Sequence, residues 1–111
     1  MQSVDVPVGL LGYGTVGAAV ARLLAEQGDE IERAIGHRLR ITRALVRDLA
    51  KERGFEPEPG VLTTDPADIV GDTSLGLVAE VMGGVEPAGS LVDAVLASGR
   101  SVVTANKQLV A

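Results

Sequence analysis

The spacing of hydrophobic residues changes at Gly12. Residues 6–11 are apolar at alternate positions and end in consecutive leucines, which predicts a buried strand. Over residues 15–35 the apolar positions recur at helical spacing, which predicts one helix roughly 31 Å long. Gly36 follows where a left-handed residue commonly ends a helix. A strand, a tight turn and a long helix are therefore expected in this order.

The same alternation of strands and helices continues along the chain. Further strands are predicted at residues 39–48, 61–62, 75–82 and 101–104. A short helix is expected after Asp65-Pro66, and a longer helix is expected between Pro87 and Gly99. Because strands alternate with helices over short connections, the pattern predicts a doubly wound α/β fold. Its parallel sheet is expected to have five strands in the order 3-2-1-4-5.

The composition fits one compact domain over residues 1–111. The chain is 46% hydrophobic and 23% charged, and a chain of this length buries roughly 60–70% of its unfolded surface. The absence of Cys excludes a disulfide scaffold and a thiolate metal site, and no metal is expected. The net charge of −5 and the single Tyr and Phe argue against a nucleic-acid partner.

Residues 6–25 form an apolar stretch in which Arg22 is the one charged residue. No Lys or Arg precedes it, and Pro7 and several glycines interrupt it, so neither a membrane span nor a signal peptide is expected. A cytoplasmic protein without a membrane partner is predicted. Because Asn106 is placed to cap a helix that would be too short to stand alone, the chain is expected to be a fragment of a longer protein.

Gly12, Gly14 and Gly17 form a G-x-G-x-x-G motif between the first predicted strand and the first predicted helix. In this context Gly12 permits a tight turn, Gly14 lets a pyrophosphate approach the backbone, and Gly17 lets the helix pack on the strand. The N–H groups around Thr15 and Val16 then face the phosphates at the positive end of the helix. The motif predicts dinucleotide binding, and the alternative is a glycine-rich turn with a packing role alone.

Arg47 and Asp48 end the second predicted strand, where dinucleotide-binding folds contact the adenosine ribose. An Arg can pair with a 2′-phosphate and an acidic residue with a 2′-hydroxyl, so NADP(H) is the preferred cofactor and NAD(H) stays open. The alternative for Arg47 is a solvated edge charge. Seven of the ten basic residues lie within positions 33–53, and they are interpreted as a solvated face because the whole chain is acidic.

Glu80 interrupts the apolar run of the fourth predicted strand shortly before Gly83 and Gly84. A carboxylate in such a place must find partners. It is expected either to orient a substrate or a cofactor ribose, or to accept hydrogen bonds from backbone amides of the glycine turn, with equal weight. His37, the only histidine, is expected at the opposite edge of the sheet, too far from the cofactor to act as a general base.

Lys107 follows the last predicted strand, just after Thr104 and Asn106. Its ammonium can donate to a substrate oxygen or move a proton during hydride transfer. The alternative is a surface charge beside a helix cap at Asn106. A Lys in the first turn of a helix opposes the helix dipole, which favours the catalytic interpretation.

The chain resembles the amino-terminal cofactor domain of homoserine dehydrogenases over essentially its whole length. The resemblance rests on the residues at positions 9–17, 45–48, 79–88 and 102–107. The glycine motif is shared by many nucleotide-binding enzymes, whereas Glu-Val-Met-Gly-Gly followed by Thr-Ala-Asn-Lys is much more specific. The resemblance agrees with a Rossmann-like form of the predicted sheet.

By resemblance, the intact enzyme interconverts L-homoserine and L-aspartate 4-semialdehyde with NAD(P)(H), on the route to threonine, methionine and isoleucine, as a homo-oligomer. Residues 12–17 would hold the pyrophosphate, Arg47 the 2′-phosphate and Lys107 the nicotinamide or substrate end. Gly83, Gly84 and Thr104 complete the expected cofactor contacts. In that family a second lysine and the acidic substrate ligands belong to a following domain, so this chain is expected to bind cofactor without turnover.

Two other functions stay open from the residues alone. The first is the cofactor domain of another amino-acid or sugar dehydrogenase, since the sheet and glycine loop are generic. The segment 104–107 argues against it. The second is a regulatory module that senses nicotinamide nucleotides, and Arg47 argues against that function.

Overall fold

The computed structural model describes residues 4–82 and 87–104. The strands in this part of the chain are β1 (Val4–Leu11), β2 (His37–Leu45), β3 (Leu62–Thr63), β4 (Leu77–Glu80) and β5 (Ser101–Thr104). The helices are α1 (Thr15–Glu26), α2 (Gly28–Ile35), α3 (Ala67–Val70) and α4 (Ala88–Ala97). No helix among these residues is long and apolar enough to cross a membrane.

The strands form one parallel sheet in the order β3-β2-β1-β4-β5, as the sequence predicts. The register places Leu11 opposite Leu45 on one side and opposite Glu80 on the other, and Glu80 lies opposite Thr104. These residues end their strands in a single row across the sheet. The segment that follows each strand therefore begins at the same carboxyl edge.

Helices cover both faces of the sheet. On one face, Val8 and Leu10 of β1 pack with Ala21 of α1 in a buried cluster. On the other face, Leu11 packs with Ile69 of α3 and Val95 of α4. This arrangement confirms the doubly wound architecture, because alternate residues of β1 bury their side chains on opposite faces.

The first predicted helix is wrong in one respect, because two helices replace the single helix expected over residues 15–35. The helical conformation is interrupted at Gln27, whose φ of −117° and ψ of 22° are not helical. The next residue, Gly28, is buried against the Arg38 guanidinium, and a Cβ at Gly28 would lie 2.9 Å from the Arg38 Cζ. Arg38 also pairs with Asp29 at 2.5 Å, so α2 turns to meet a strand residue that local periodicity does not reveal.

The remaining boundaries differ from the predicted ones by a few residues. The fourth strand is shorter than residues 75–82, and the third is displaced by one residue to Leu62–Thr63. Gly36 adopts a left-handed conformation with φ of 83° and ends α2, as expected. His37 then begins β2 opposite Val4, about 23 Å along β1 from Leu11. The prediction that His37 lies at the edge away from the glycine motif is confirmed.

Candidate dinucleotide-binding site

The carboxyl edge of the sheet brings together the glycine motif and two of the neighbouring segments. The Gly12 N–H donates to the Leu45 carbonyl at 3.1 Å, and the Val81 N–H donates to the Leu11 carbonyl at 3.0 Å. These hydrogen bonds continue the sheet pairing just beyond the strand ends. The turn after β1 therefore lies between the segments that follow β2 and β4, at the place where ligands bind in open α/β sheets.

Gly12 and Gly17 are required by close backbone packing. Gly12 has a φ of 110°, and a Cβ there would lie 3.2 Å from the Met82 Cα. A Cβ at Gly17 would lie 2.8 Å from the Gly12 carbonyl oxygen. The turn and the first turn of α1 can approach each other this closely because both residues lack a side chain.

Gly14, at the N-cap of α1, has open surroundings instead. A Cβ there would meet no heavy atom within 4 Å, and its φ is −84°, which is not a glycine-specific value. The Ala18 N–H donates to the Gly14 carbonyl at 2.9 Å, so the N–H groups of Thr15, Val16 and Gly17 precede the first intrahelical hydrogen bond. These N–H groups and the positive helix end fit a pyrophosphate that approaches from the open side of Gly14.

Glu80 is fully buried at the end of β4 and connects the ends of two strands. One carboxylate oxygen accepts a hydrogen bond from the Met82 N–H at 2.6 Å. The other accepts a hydrogen bond from the Thr104 hydroxyl at 2.6 Å. Of the two roles weighed for Glu80, these contacts favour the backbone-bonding one, with Met82 as the amide donor. Because Met82 also packs against Gly12, Glu80 supports the wall of the glycine turn.

We expect the Glu80→Gln variant to lower the free energy of unfolding of the cofactor-free chain by about 1–3 kcal/mol. A glutamine replaces one charged acceptor oxygen with an NH₂ group, so the charge-assisted hydrogen bond from the Thr104 hydroxyl is lost and that hydroxyl must turn to accept instead. Thermal unfolding followed by circular dichroism measures the change. An unchanged midpoint together with weakened cofactor or substrate binding would instead assign Glu80 to the ligand.

Arg47 is exposed directly beyond β2, two residues after the Leu45 carbonyl that accepts from Gly12. This position places the start of the Arg47 side chain near the glycine turn, as the sequence predicts. The neighbouring Asp48 side chain accepts a hydrogen bond from the Ala50 N–H at 2.9 Å, so it shapes the loop that begins there.

A cleft of about 360 Å³ separates the start of α1 from the loop that joins β2 to β3. Gly14 and Thr15 line one side, and Lys51, Arg53 and Phe55 line the other. The sequence predicts a solvated face for the basic residues of this loop, and their position beside the glycine motif is not predicted by it. The topology of the sheet could have predicted this position, because a right-handed connection from β2 to β3 must cross on the face that α1 covers.

Tyr13 is a further residue of the site that the sequence does not predict. Its side chain is 4% exposed, and its hydroxyl donates to the Phe55 carbonyl at 2.7 Å. Burial, with a smaller contribution from Glu56, raises the pKa of the phenol above its usual range. The hydroxyl therefore stays protonated and remains a donor through the neutral and mildly alkaline range.

Four of the predicted site residues lie outside the described part of the chain. They are Gly83, Gly84, Asn106 and Lys107. Their predicted roles in cofactor binding, helix capping and catalysis remain predictions.

A family model described as the NAD-binding domain of homoserine dehydrogenase matches residues 12–111. The chain belongs to this family. A nicotinamide dinucleotide is accordingly the cofactor class of the domain, and the glycine loop and helix end described above fit its pyrophosphate.

Curated relatives agree with the family assignment. The chain is 45% identical over 107 residues to a homoserine dehydrogenase of Corynebacterium glutamicum, with 96% of this chain covered. It is 44% identical over 105 residues to the homoserine dehydrogenase of Bacillus subtilis, with 94% covered. The matched region is 24% of each relative, so the chain spans about a quarter of the length of these proteins.

Solved structures show the same fold. A homoserine dehydrogenase from Thiobacillus denitrificans superposes with a TM-score of 0.89 at 44% identity, covering 99% of this chain and 26% of that one. A homoserine dehydrogenase from S. aureus superposes with a TM-score of 0.86 at 36% identity, covering 96% of this chain and 27% of that one. The predicted resemblance to the cofactor domain of this family is confirmed.

Proposed function

We propose that this domain serves an enzyme that interconverts L-homoserine and L-aspartate 4-semialdehyde, with NADP(H) preferred and NAD(H) as the alternative cofactor. The observation that carries the proposal is the open side of Gly14 at the start of α1, beside a cleft that Lys51 and Arg53 also line. An anion at this place meets helix N–H groups and nearby cations. The names of the relatives supply homoserine as the substrate, and the resemblance to their family implies the semialdehyde as its oxidised partner.

The bound cofactor would supply the hydride chemistry at its nicotinamide ring, and the chain's own residues would bind and orient it. The N–H groups of Thr15, Val16 and Gly17 would hold the pyrophosphate. Gly12 lies close to Met82, so backbone packing holds the glycine turn in shape. Such preorganisation lowers the entropy lost on binding.

The preference for NADP(H) rests on Arg47. Its side chain is exposed at the end of β2, which is the ribose-binding position of this fold. A guanidinium can bind two phosphate oxygens at once, whereas a ribose 2′-hydroxyl offers no comparable partner. The loop beyond it adds Lys51, and none of the ion pairs among the described residues includes that side chain.

Titration of the 111-residue chain with NADPH and NADH, followed by nicotinamide fluorescence, tests this proposal. We expect Arg47→Ala to weaken NADPH binding about tenfold and to leave NADH binding nearly unchanged. The chain contains no Trp, so the nicotinamide signal is free of indole emission.

Arg33→Ala is the matched control for this titration. Arg33 is an exposed Arg in the last turn of α2, near the edge of the sheet away from the glycine motif, so its loss should affect neither cofactor. Equal loss of NADPH and NADH affinity in Arg47→Ala would contradict the 2′-phosphate role.

Three further predicted site residues, Gly83, Gly84 and Lys107, lie outside the described residues, and Thr104 ends β5. Lys107 would hold the nicotinamide or substrate end, with Gly83 and Gly84 near the cofactor and the Thr104 hydroxyl engaged by Glu80. The 111 residues would bind cofactor without turning over homoserine, since a positioned substrate is also needed. The intact enzyme would be a cytoplasmic homo-oligomer.

A further inference from the structure

The connection between β2 and β3 contains a loop, residues 48–56, that stabilises its own shape. The Arg53 guanidinium donates to the Lys51 carbonyl at 2.6 Å and also to the Asp48 carbonyl. The Arg53 N–H donates to the Glu56 carboxylate at 3.3 Å. These hydrogen bonds are local, so they determine the curvature of the loop but not its position relative to α1.

The Arg53 guanidinium is thus bound within the loop. Its Nη atoms donate to backbone carbonyls, whereas the Lys51 side chain takes part in none of the ion pairs of the described residues. Both residues line the cleft beside Gly14 and Thr15. The distance between the loop and α1 therefore decides how near these charges lie to a ligand on the glycine motif.

Tyr13 connects the two walls of this cleft. Among the hydrogen bonds of the described residues, the bond from the Tyr13 hydroxyl to the Phe55 carbonyl is the one that joins residues 48–56 to the glycine motif. The Tyr13 ring is buried with Ala21 and Val61, and Phe55 packs against the same cluster. Because Tyr13 lies between Gly12 and Gly14, its buried ring and hydroxyl hold the loop at a set position relative to the backbone of the glycine motif.

We propose that Tyr13 is a positioning residue for cofactor selection, which holds the loop of residues 48–56 against the glycine motif through the Phe55 carbonyl. This inference rests on the proposed function and extends it. Tyr13 does not touch the 2′-phosphate. It limits the positions that the loop can take, so that less loop entropy is lost when the adenosine end binds.

Tyr13→Phe tests the proposal because it keeps the buried ring and removes the donor. We expect the affinity for NADPH to fall about fivefold, the loss of one hydrogen bond, and the affinity for NADH to fall less. Adenosine 2′,5′-bisphosphate, a probe of the adenosine end alone, should lose the same factor as NADPH. Nicotinamide mononucleotide, which lacks that end, should bind as it does to the unmodified chain.

Ile69→Val is the matched control, since it removes one buried methylene in the cluster on the opposite face of the sheet and leaves the cleft and residues 48–56 unchanged. It should leave the ratio of NADPH to NADH affinity unchanged. Because the phenol pKa is raised by burial, the ratio measured for the unmodified chain should also be constant between about pH 7 and pH 9. Thermal unfolding of each variant shows whether the fold is retained.

The outcomes separate this inference from the proposed function. Selective loss of NADPH and of the bisphosphate in Tyr13→Phe supports the inference. An unchanged ratio, or an equal loss of both cofactors, overturns it even where Arg47→Ala retains its selective effect. An unmodified chain that is folded and binds neither nucleotide overturns the proposed function and this inference with it.

Discussion

Replacing Gly14 with alanine is expected to weaken NADPH and NADH binding about a hundredfold, with a change of at most about 1 kcal/mol in the free energy of unfolding. The added methyl group would meet no heavy atom of the chain within 4 Å, so the fold tolerates it. It would occupy the side from which we expect the pyrophosphate to approach. Two charge-assisted hydrogen bonds from helix N–H groups would be lost or lengthened.

Gly17→Ala is the matched comparison in the same motif, because its expected effect is on stability. Alanine in the interior of a helix normally adds about 1 kcal/mol of stability over glycine. Here the new Cβ would lie 2.8 Å from the Gly12 carbonyl oxygen, and relief of such a backbone clash typically costs 1–3 kcal/mol. The clash is therefore expected to outweigh the propensity, and the unfolding midpoint should fall.

Nicotinamide fluorescence titration and thermal unfolding, applied to both glycine variants, measure these effects independently. Wild-type cofactor affinity in Gly14→Ala would contradict the assignment of the phosphate to the open side of that residue. A Gly14→Ala variant that unfolds at a much lower temperature would show that the loop glycine has a packing role, the alternative that the sequence analysis left open.

Arg100→Ala is expected to lower the free energy of unfolding by about 2–3 kcal/mol. The Arg100 Nη1 donates to the Ile69 carbonyl at 2.6 Å and to the Asp72 carbonyl at 2.7 Å, and Nη2 donates to the Val70 carbonyl. These carbonyls lie at or just beyond the end of α3, a helix of four residues. Carbonyls at the end of a helix lack some of their intrahelical donors, so a guanidinium is well suited to bind them. The Ile69 and Asp72 carbonyls also accept from backbone N–H groups of the following turn.

Thermal unfolding by circular dichroism should show the Arg100→Ala midpoint lowered by about 10 °C or more. Arg100→Lys should recover part of the loss, since one ammonium cannot reproduce the fork of donors. Arg40→Ala is the control, because the Arg40 ion pair with Asp5 is long, at 3.4 Å, and largely exposed. Equal midpoints for the Arg100→Ala and Arg40→Ala variants would contradict the role assigned to Arg100.

Much of the fold and part of the candidate site follow from local patterns. The strand order, the Gly12 turn and the left-handed Gly36 are all predicted by periodicity and turn chemistry within short windows. The carboxyl-edge position of Arg47 follows from the parallel order of the strands. These features were predictable because each depends on neighbouring residues or on a general rule of topology.

The candidate site needed tertiary information in two places. Glu80 was equally compatible with a ligand role and a backbone role, and only the register between β4 and β5 places it beside Thr104. Tyr13 occupies a variable position of the motif, and its partner Phe55 is 42 residues away. No pattern within either segment specifies which carbonyl the hydroxyl will reach.

By itself, the sequence determined the alternation of strands and helices, the five-stranded order and the position of the glycine turn between β1 and α1. The tertiary structure alone decided the break at Gln27, the capping of α3 by Arg100 and the attachment of the loop to Tyr13. The spacing of hydrophobic residues shows which face of an element is buried, because every turn of a helix and every pleat of a strand places a residue on that face. A hydrogen bond between two elements involves a single pair of residues, so no repeating pattern in the sequence predicts it. It depends on distances that exist only after the sheet and helices have packed.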